Sequence, residues 1–408
     1  MLHCGIFGEK LGHSYSPIIH AMLGDYEFKR YECDRKDLPL FLNSGTFDGL
    51  TVAMPYKKLA VPYCAELSDI ARETGCVNTI IRRADGTLYG DNTDVFGFES
   101  MLDKSGIAVE GKKALVLGSG GASATAVTVL RARKAREVIV VSRAGVDNYQ
   151  NLPKHYDAEI IVNTTPVGMY PRNDKRPVDL SEFPRLAGVL DVIFNPARTA
   201  LMLQAEELGV PNIGGMRMLV AQAKRASELF TGKTIPDSEI DRVEREAERK
   251  TENIVLIGMP GCGKTTLAKE LGKALDRHDV SSDVLIEDIT GMTIPEIFSE
   301  QGEGDFRKLE TEALTILCKR SGRIIATGGG CITREENYPL LHQNGRIFWV
   351  KRDIEVLPTA GRPLSQQRGV RKLFEERKPL YEKFADTVVD NNGAVEDAVK
   401  QIIEVFNN

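Results

Sequence analysis

The sequence predicts an α/β protein with several domains, and three observations carry that prediction. The chain has 408 residues, and since a domain usually holds roughly 100 to 200 residues, we expect two to four domains. Two short apolar runs, ALVLG at 114–118 and NIVLIG at 253–258, each lead into a glycine-rich turn and then a helical pattern. A strand, a glycine turn and a helix in that order are typical of α/β domains with parallel sheets.

The composition and charge exclude several classes of protein. With 53 basic and 58 acidic residues, a net charge of −5 and a pI near 5.9, the chain predicts no broad basic face and no nucleic-acid partner. No apolar run reaches the roughly 18 residues of a membrane span and the first residues lack signal-peptide features, so we expect a cytoplasmic protein with no membrane partner. Seven scattered cysteines without a CxxC pair favour reduced thiols. Apolar surroundings predict core packing for Cys4, Cys76 and Cys318.

The first hundred residues alternate short apolar runs with stretches of helical pattern. The helical stretches include 16–23 and 58–66. This alternation predicts a separate αβ domain over residues 1–103.

Residues 104–214 hold a βαβ unit. Its glycine turn at 118–123 is an imperfect GxGxxG, because Ser123 occupies the third glycine position. The strand after it, EVIVV, ends just before Ser142 and Arg143. An arginine at that point favours the 2′-phosphate of NADP, with an exposed loop arginine as the alternative.

Two further segments complete the organisation. Between Asp237 and Glu252, eleven of sixteen residues are charged, which predicts a helical charged linker over 236–252, or else a surface helix inside one domain. The string at 258–265 then fits GxxxxGK[ST] between a strand and a helix, and predicts a phosphate-binding loop for ATP or GTP. The nucleotide-binding residues expected there are Gly261, Cys262, Gly263, Lys264, Thr265 and Thr266, with the Thr265 hydroxyl as the Mg²⁺ ligand.

Five short motifs lie in order along the first 235 residues, on both sides of the dinucleotide turn. They are HSYSP (13–17), TVAMPYK (51–57), CVNT (76–79), GDNTD (90–94) and GMRMLVAQA (215–223). Together they resemble shikimate dehydrogenase. The resemblance implies a substrate-binding αβ domain, onto which helices in 215–235 pack back, and a Rossmann domain that binds NADPH. We expect this Rossmann domain to be shortened, because the stretch 143–160 is shorter than the family norm.

The resemblance also assigns roles to single residues. Lys57 would supply the proton during reduction of a ring ketone, and Asp94 would orient it, so both are expected to be catalytic. The substrate-binding residues implied are Ser14, Ser16, Asn78, Asp94, Phe194 and Gln222. The NADP-binding residues implied are Gly118, Ser119, Gly120, Gly121, Ala122, Ser142, Arg143, Thr164 and Gly215, with Asn163 beside them.

Several positions depart from the family pattern. Ala53 and Thr51 replace a threonine and an asparagine, and Phe194 replaces a tyrosine that contacts the substrate. Each change alters one polar contact worth about 0.5 to 1.5 kcal/mol. Ser142 and Ala144 replace the residues usual around the arginine, which leaves the preference between NADP and NAD open.

A second series of motifs follows the phosphate loop. These are DVLIEDITGMTIPEIF (283–298), GEGDFRKLE (302–310), IIATGGG (324–330), GRPL (361–364) and ERKPLY (376–381). The series resembles shikimate kinase over residues 253–408 and implies a P-loop, parallel-sheet domain of the nucleoside-monophosphate-kinase type. In one departure, Ser281 stands where the family has an aspartate that helps hold Mg²⁺, and Asp279 lies out of register. The resemblance makes Asp283, Lys264 and Arg362 catalytic, and makes Asp283, Arg307, Gly328, Gly329, Gly330 and Arg377 the substrate-binding residues.

The two resemblances imply reactions that share one metabolite. The first half would reduce 3-dehydroshikimate to shikimate with NADPH, and the second would phosphorylate shikimate to shikimate 3-phosphate with ATP and Mg²⁺, both steps toward chorismate and the aromatic amino acids. The alternative is a dehydrogenase for quinate or shikimate joined to a domain that senses shikimate and ATP without catalysis. Monomer and homodimer both remain open.

Overall fold

A computed structural model describes residues 1–12 and 14–407, and the chain divides into two compact units, Met1–Ala247 and Glu248–Asn408. His13, the first residue of the HSYSP motif, lies outside the described residues, as does Asn408. Both units are mixed α/β with parallel strands, which confirms the predicted fold class. No helix in the described part of the chain combines the length and the apolar character that a membrane crossing needs.

The first sheet has six strands in the order β2-β1-β3-β5-β6-β4, and its neighbouring strands include both parallel and antiparallel pairs. Its core is aromatic and aliphatic, with Phe7, Leu50, Tyr56 and Ile80 among its buried side chains. The strands are β1 (His3–Gly8), β2 (Glu27–Glu32), β3 (Gly49–Val52), β4 (Glu66–Leu67), β5 (Thr79–Arg82) and β6 (Leu88–Asp91). The helices in this stretch are α1 (Ser16–Leu23), α2 (Leu38–Asn43), α3 (Asp69–Thr74) and α4 (Asp94–Ser105).

The second sheet is fully parallel and has the order β11-β10-β9-β7-β8. Between β8 and β9 the chain forms only a 3₁₀ turn at Leu152–His155, and the shortening expected of this Rossmann-like half relative to the family stays a prediction. Because all five strands run the same way, the residues that follow each of them share one edge of the sheet. The elements are β7 (Lys113–Leu117), α5 (Gly121–Ala132), β8 (Glu137–Val141), β9 (Ile160–Asn163), β10 (Gly188–Asp191), α6 (Ala200–Glu207), β11 (Asn212–Ile213) and α7 (Met216–Thr231).

The charged segment after α7 is a helix, α8 (Ser238–Thr251), and the boundary between the units falls within it. The expectation of a solvated linker is wrong for one face of α8. Ile240, Val243 and Ala247 are buried in a cluster that includes Tyr15 of the first unit and residues of α1 and α7. The charges lie on the other faces, as in an ordinary amphipathic surface helix. The boundaries expected at 103/104 and 214/215 stay predictions.

Two smaller expectations have opposite outcomes. The helix predicted over 58–66 is wrong, because only Val61–Tyr63 form a 3₁₀ turn and the chain then enters β4. Pro62 in that turn has no N–H to continue an α-helix. The core positions expected for Cys4, Cys76 and Cys318 are confirmed, since all three are buried.

The second unit is built on a five-stranded parallel sheet in the order β13-β14-β12-β15-β16, with β12 at its centre and fully buried. Its strands are β12 (Asn253–Ile257), β13 (Asp279–Ser281), β14 (Ile324–Ala326), β15 (Gly345–Lys351) and β16 (Thr387–Asp390). Its helices are α9 (Lys264–Leu275), α10 (Ser282–Thr290), α11 (Ile294–Glu300), α12 (Gly302–Cys318), α13 (Asn337–His342), α14 (Pro363–Arg368), α15 (Val370–Phe384) and α16 (Val395–Asn407). The phosphate loop joins the central strand β12 to α9, which sets its position at the carboxyl edge of this sheet.

Candidate active sites

A lysine and a carboxylate form a close pair in the first unit. Nζ of Lys57 lies 2.5 Å from Oδ2 of Asp94. The lysine side chain is 20% exposed and the aspartate side chain only 7%, so the lysine is the more accessible member of the pair. Asp94 is the first residue of α4, where the partial positive charge of the helix N-terminus favours a carboxylate.

The amide of Asn78 holds the other side of this carboxylate and also contacts the amide of Gln222. Nδ2 of Asn78 lies 2.9 Å from Oδ1 of Asp94 and 3.3 Å from Oε1 of Gln222. Oδ1 of Asn78 accepts a hydrogen bond of 2.7 Å from the backbone N–H of Thr93. Asn78, Asp94 and Gln222 are all buried, and their mutual contacts fix the orientations of their side chains beside Lys57.

The start of α1 carries a second polar group. Oγ of Ser14 accepts a hydrogen bond of 3.3 Å from the backbone N–H of Ser16. Tyr15, between them, contacts Phe194, with the ring centroids 5.4 Å apart. The loop that follows β10 therefore reaches the pair of serines.

The dinucleotide turn lies at the carboxyl edge of the second sheet. Gly118 follows β7 with a φ of +111°, and a Cβ there would lie 2.7 Å from Oγ1 of Thr164. Gly215 begins α7 so close to the chain that a Cβ would clash with the carbonyl oxygen of Val192. Arg143 follows β8 and is exposed, and no carboxylate in the described part of the chain forms an ion pair with it. Its guanidinium is thus available to an anion.

The dinucleotide turn comes close to Lys57 at one residue, Gly121. A Cβ at Gly121, the first residue of α5, would lie 3.3 Å from Cδ of Lys57 and 3.5 Å from Sγ of Cys76. The space in front of Lys57 is therefore shared with the dinucleotide turn. Burial raises the pKa of the Cys76 thiol, so this sulfur is a packing group there.

In the second unit the phosphate loop has a specific backbone. Gly258, Gly261 and Gly263 have φ values of +145°, +83° and +103°, which only glycine adopts without strain. Nζ of Lys264 donates hydrogen bonds to the carbonyl oxygens of Gly258 at 2.8 Å and Met259 at 3.0 Å. The lysine is buried against a glycine-rich loop at the start of α9, a position suited to a chain of phosphates.

A second set of charges faces the loop. The Arg307 guanidinium donates to Oε2 of Glu310 at 2.7 Å, and Glu310 is fully buried. Arg377 donates a hydrogen bond of 3.1 Å to the carbonyl oxygen of Gly329. Burial raises the pKa of Asp283, while Lys264 and Arg307 oppose that shift, and Oδ1 of Asp283 has no hydrogen-bond partner among the described residues. This oxygen can therefore accept a hydrogen bond from a hydroxyl group of a ligand.

The phosphate loop and these charges line one cavity of about 560 Å³. Arg362 lies over the loop at one end of this cavity, since a Cβ at Gly261 would lie 3.2 Å from Nε of Arg362. The residues around the cavity include Gly261, Gly263, Lys264, Thr265, Thr266, Asp283, Arg307, Gly328, Gly329, Gly330, Arg362 and Arg377.

Comparison with known proteins assigns both units. Residues 6–80 match the family model of the shikimate dehydrogenase substrate binding domain, and residues 260–407 match that of shikimate kinase. The shikimate dehydrogenase (NADP(+)) of Clostridium beijerinckii is 34% identical over 245 residues, which cover 55% of this chain and 90% of the relative. The chain belongs to the shikimate dehydrogenase family and carries a shikimate kinase domain.

Solved structures agree with the assignment of the first unit. Shikimate dehydrogenase 1 from Peptoclostridium difficile has 34% identity and a TM-score of 0.57, covering 61% of this chain and 98% of its own. The Thermus thermophilus shikimate 5-dehydrogenase in complex with NADP(H) and shikimate has 29% identity and a TM-score of 0.55, covering 60% of this chain and 100% of its own.

Against this background, the expected site residues of the shikimate dehydrogenase unit fall into three groups. Lys57, Asp94, Asn78 and Gln222 form one connected network. Ser14 and Ser16 form a separate pair, beside the Tyr15 that contacts Phe194. The NADP-binding residues expected from the sequence all follow strands of the second sheet, namely Gly118, Ser119, Gly120, Gly121, Ala122, Ser142, Arg143, Thr164 and Gly215.

In the shikimate kinase domain every expected site residue lines the cavity except Cys262. This cysteine is fully buried behind the loop, where its carbonyl oxygen accepts a hydrogen bond of 2.7 Å from Asn391. Its side chain therefore packs into the core, and only its backbone belongs to the loop. Ser281, the departure from the family pattern, ends β13 directly before Ser282, whose Oγ accepts a hydrogen bond from the backbone N–H of Gly328.

Sequence reasoning missed several residues that shape these sites. Glu310 forms an ion pair with Arg307. Glu310 follows Arg307 by three residues in RKLE, a spacing that predicts an ion pair on a helix. Asn391 holds the phosphate loop from 129 residues away, and Tyr381 donates its hydroxyl to the carbonyl oxygen of Gly329. No local pattern indicates these last two contacts. Asp191 was also missed, although it ends a buried strand at the dinucleotide edge.

Proposed function

We propose that the chain performs two successive reactions on one metabolite. The first unit reduces 3-dehydroshikimate to shikimate with NADPH, and the second transfers the γ-phosphoryl group of ATP to the 3-hydroxyl of shikimate. The observation that carries the proposal is the 2.5 Å contact between Lys57 and Asp94 beside the dinucleotide turn. Both steps belong to the shikimate pathway, as do the two families, and we expect them in the cytoplasm.

The geometry supports a proton relay in the first unit. Reduction of a ketone leaves an alkoxide that needs a proton, and a lysine held by a carboxylate can donate it. Asp94 fixes Nζ of Lys57, and Asn78 and Gln222 offer amide groups that can bind ring hydroxyls. When bound, NADPH supplies the hydride. Ser14 and Ser16 are the proposed hydroxyl donors to the substrate carboxylate.

The residues of the cofactor edge fit NADPH. The exposed Arg143 suits a 2′-phosphate, because a guanidinium binds phosphate oxygens through paired N–H groups. Gly118 packs so closely on Thr164 that a Cβ would not fit, and the turn leads into the N-terminus of α5, where we propose that the pyrophosphate binds. The NADP named in the Clostridium beijerinckii and Thermus thermophilus enzymes supports the same cofactor.

The cavity of the second unit suits in-line phosphoryl transfer. Lys264 and the loop N–H groups can hold the phosphates of ATP, and Arg307 and Arg377 can bind the substrate carboxylate. The unpartnered Oδ1 of Asp283 can accept a hydrogen bond from the attacking hydroxyl. Arg362 reaches over the loop, where it can neutralise charge on the transferred group.

Mg²⁺ fits this site with fewer protein ligands than the family pattern provides. The Thr265 hydroxyl lies in the first turn of α9 and is the proposed direct ligand. Ser281 offers a hydroxyl where the family has a carboxylate. We therefore propose that the chain binds Mg²⁺ together with ATP and needs a higher concentration of it than an aspartate at 281 would require.

Assays on the purified full chain test both reactions. Absorbance at the NADPH band follows reduction of 3-dehydroshikimate, with NADH and quinate run in parallel to measure specificity, and ADP release follows phosphorylation of shikimate. We expect both rates well above background and NADPH preferred to NADH. If ADP release stays at background while shikimate and ATP raise the melting temperature, the second unit is a sensor and the kinase proposal fails.

A further inference from the structure

A carboxylate that neither proposed reaction uses lies at the edge of the dinucleotide sheet. Asp191 is the last residue of β10 and is fully buried. Its Oδ1 accepts hydrogen bonds of 3.1 Å from Nδ2 of Asn163 and 3.1 Å from the backbone N–H of Ile193, and its Oδ2 accepts one of 2.7 Å from Oγ1 of Thr199. All three donors are neutral. A buried carboxylate without a cation is costly, so this one should have a use.

The hydrogen bonds of Asp191 join two loops. Asn163 and Asp191 are register partners at the ends of the adjacent strands β9 and β10. The loop after Asn163, residues 164–170, begins with Thr164 at the dinucleotide turn. The loop after Asp191, residues 192–199, ends at Thr199, which caps α6 by accepting a hydrogen bond from the backbone N–H of Met202. Asp191 thus holds the second loop directly and the first loop through Asn163, whose Nδ2 also donates to the carbonyl oxygen of Val167 and whose Oδ1 accepts from the backbone N–H of Thr165.

The second loop is also connected to both ends of the proposed active site. The carbonyl oxygen of Val192 lies against Gly215, and the backbone N–H of Gly215 donates a 2.9 Å hydrogen bond to the carbonyl oxygen of Ile193. Two residues from Val192, Phe194 contacts Tyr15 beside the substrate serines. A shift of residues 192–199 would therefore move the cofactor side and the substrate side together.

We propose that Asp191 is a positioning residue for the dinucleotide, which acts by holding the loops 164–170 and 192–199 in register. The inference rests on the proposed dehydrogenase function. Because Asp191 is buried, it touches neither ligand and acts through Thr164, Gly215 and Phe194. Burial raises the pKa of Asp191 to about 6, so the charged form, which accepts all three hydrogen bonds, predominates at neutral pH.

A matched pair of variants separates this role from simple packing. Thr199→Val removes the hydroxyl that donates to Asp191 and keeps the side-chain size, whereas Thr199→Ser keeps the hydroxyl. Asp191→Asn keeps the shape of the carboxylate but turns one acceptor into a donor. The dissociation constant of NADPH is measured by titration calorimetry, KM and kcat by NADPH oxidation, and ADP release from the same chain reports whether the second unit is intact.

We expect Thr199→Val and Asp191→Asn to raise both the dissociation constant and the KM of NADPH by about five- to tenfold, the effect of roughly one lost hydrogen bond. Thr199→Ser should stay within twofold and ADP release should not change. If the two disruptive variants only lower the melting temperature and leave NADPH binding within twofold, the inference is overturned. If Asp191→Asn does not fold, Thr199→Val decides.

The proposed function can fail separately. A wild-type chain that binds NADPH without reducing 3-dehydroshikimate would overturn the proposed reaction, while the binding comparison would still decide the role of Asp191. A wild-type chain that binds no NADPH would overturn both.

Discussion

Nζ of Lys57 lies 2.5 Å from Oδ2 of Asp94, while the other carboxylate oxygen, Oδ1, lies 2.9 Å from Nδ2 of Asn78. The carboxylate is therefore divided between a cation and an amide, and the ammonium group can point in only a narrow range of directions. That restriction suits a group that must give a proton to one atom of a bound ligand.

Lys57→Ala should abolish reduction of 3-dehydroshikimate and leave phosphorylation of shikimate intact. Loss of a positioned general acid costs about 10²- to 10⁴-fold in kcat, and the chain divides at Ala247 into two compact units. NADPH oxidation and ADP release measured on one preparation check this. Lys58→Ala is the matched control, because the neighbouring lysine is absent from the network around Asp94, and its rates should stay near wild type. Loss of both activities in a folded Lys57→Ala chain would contradict the two-site proposal.

Lys264→Ala should have the opposite effect. The ammonium group lies over the phosphate loop, and without it the charge on the transferred phosphoryl group has one cation fewer. We expect ADP release to fall by at least about 10²-fold with NADPH oxidation unchanged. Lys269→Ala, farther along α9, serves as the control and should release ADP at the wild-type rate. A Lys264→Ala chain that keeps most of its kinase rate would show that the loop is not the catalytic site.

Local signals in the sequence located the two nucleotide loops, because each loop is a run of adjacent residues between a strand and a helix. The positive φ values within the phosphate loop fall at Gly258, Gly261 and Gly263, where the sequence already shows glycine. Contacts between distant residues were accessible only through the resemblance to known families. Lys57 and Asp94 are 37 residues apart, and neither composition nor periodicity indicates that they meet.

The errors have equally specific causes. In α8 the buried residues Ile240, Val243 and Ala247 recur at helical spacing. This spacing indicates a buried helix face, but the high density of charged residues around it favoured the prediction of a solvated linker. Asp191 depends on its register with Asn163 across two strands, and strand register cannot be read from a single parallel strand. The prediction of a helix over 58–66 took no account of Pro62, whose missing N–H favours the short turn instead.

Arg143→Ala should weaken binding of NADPH without affecting NADH. A charge-assisted hydrogen bond to a phosphate is worth about 1.5 to 3 kcal/mol, so the KM of NADPH should rise by roughly 10- to 100-fold. The KM of NADH should stay the same, because NADH lacks the 2′-phosphate. Lys134→Ala is the control, since this exposed lysine lies beyond the far end of α5. Equal losses for both cofactors would argue that Arg143 does not contact the 2′-phosphate.

Ser281→Asp should lower the Mg²⁺ concentration at which phosphorylation of shikimate is half-maximal. A carboxylate attracts a hard divalent cation more strongly than a hydroxyl does, and residue 281 ends β13 two residues before Asp283. Titration of MgCl₂ at saturating ATP measures the shift, which we expect to be several-fold. Asp279→Asn is the matched control, because Oδ1 of Asp279 lies near Gly272 of α9 instead, and its Mg²⁺ dependence should not change. An unchanged titration for Ser281→Asp would mean that the metal lies elsewhere.

The buried carboxylate of Asp191 should also make the stability of the first unit depend on pH. Burial raises its pKa from 3.8 to about 6 in the folded chain, so between these values the folded state binds more protons than the unfolded state. Stability contributed by this group therefore falls as the pH rises from about 4 to about 6, by on the order of 2 to 3 kcal/mol. Asp191→Asn cannot titrate and should lack this component. The free energies of unfolding of wild type and Asp191→Asn are measured by urea unfolding at pH 4.5, 5.5 and 7. As the pH rises, the wild type should lose stability relative to Asp191→Asn. Because the second unit is identical in both chains, its own pH dependence cancels in that difference, and a difference that stays constant over this range would show that the pKa of Asp191 is not raised.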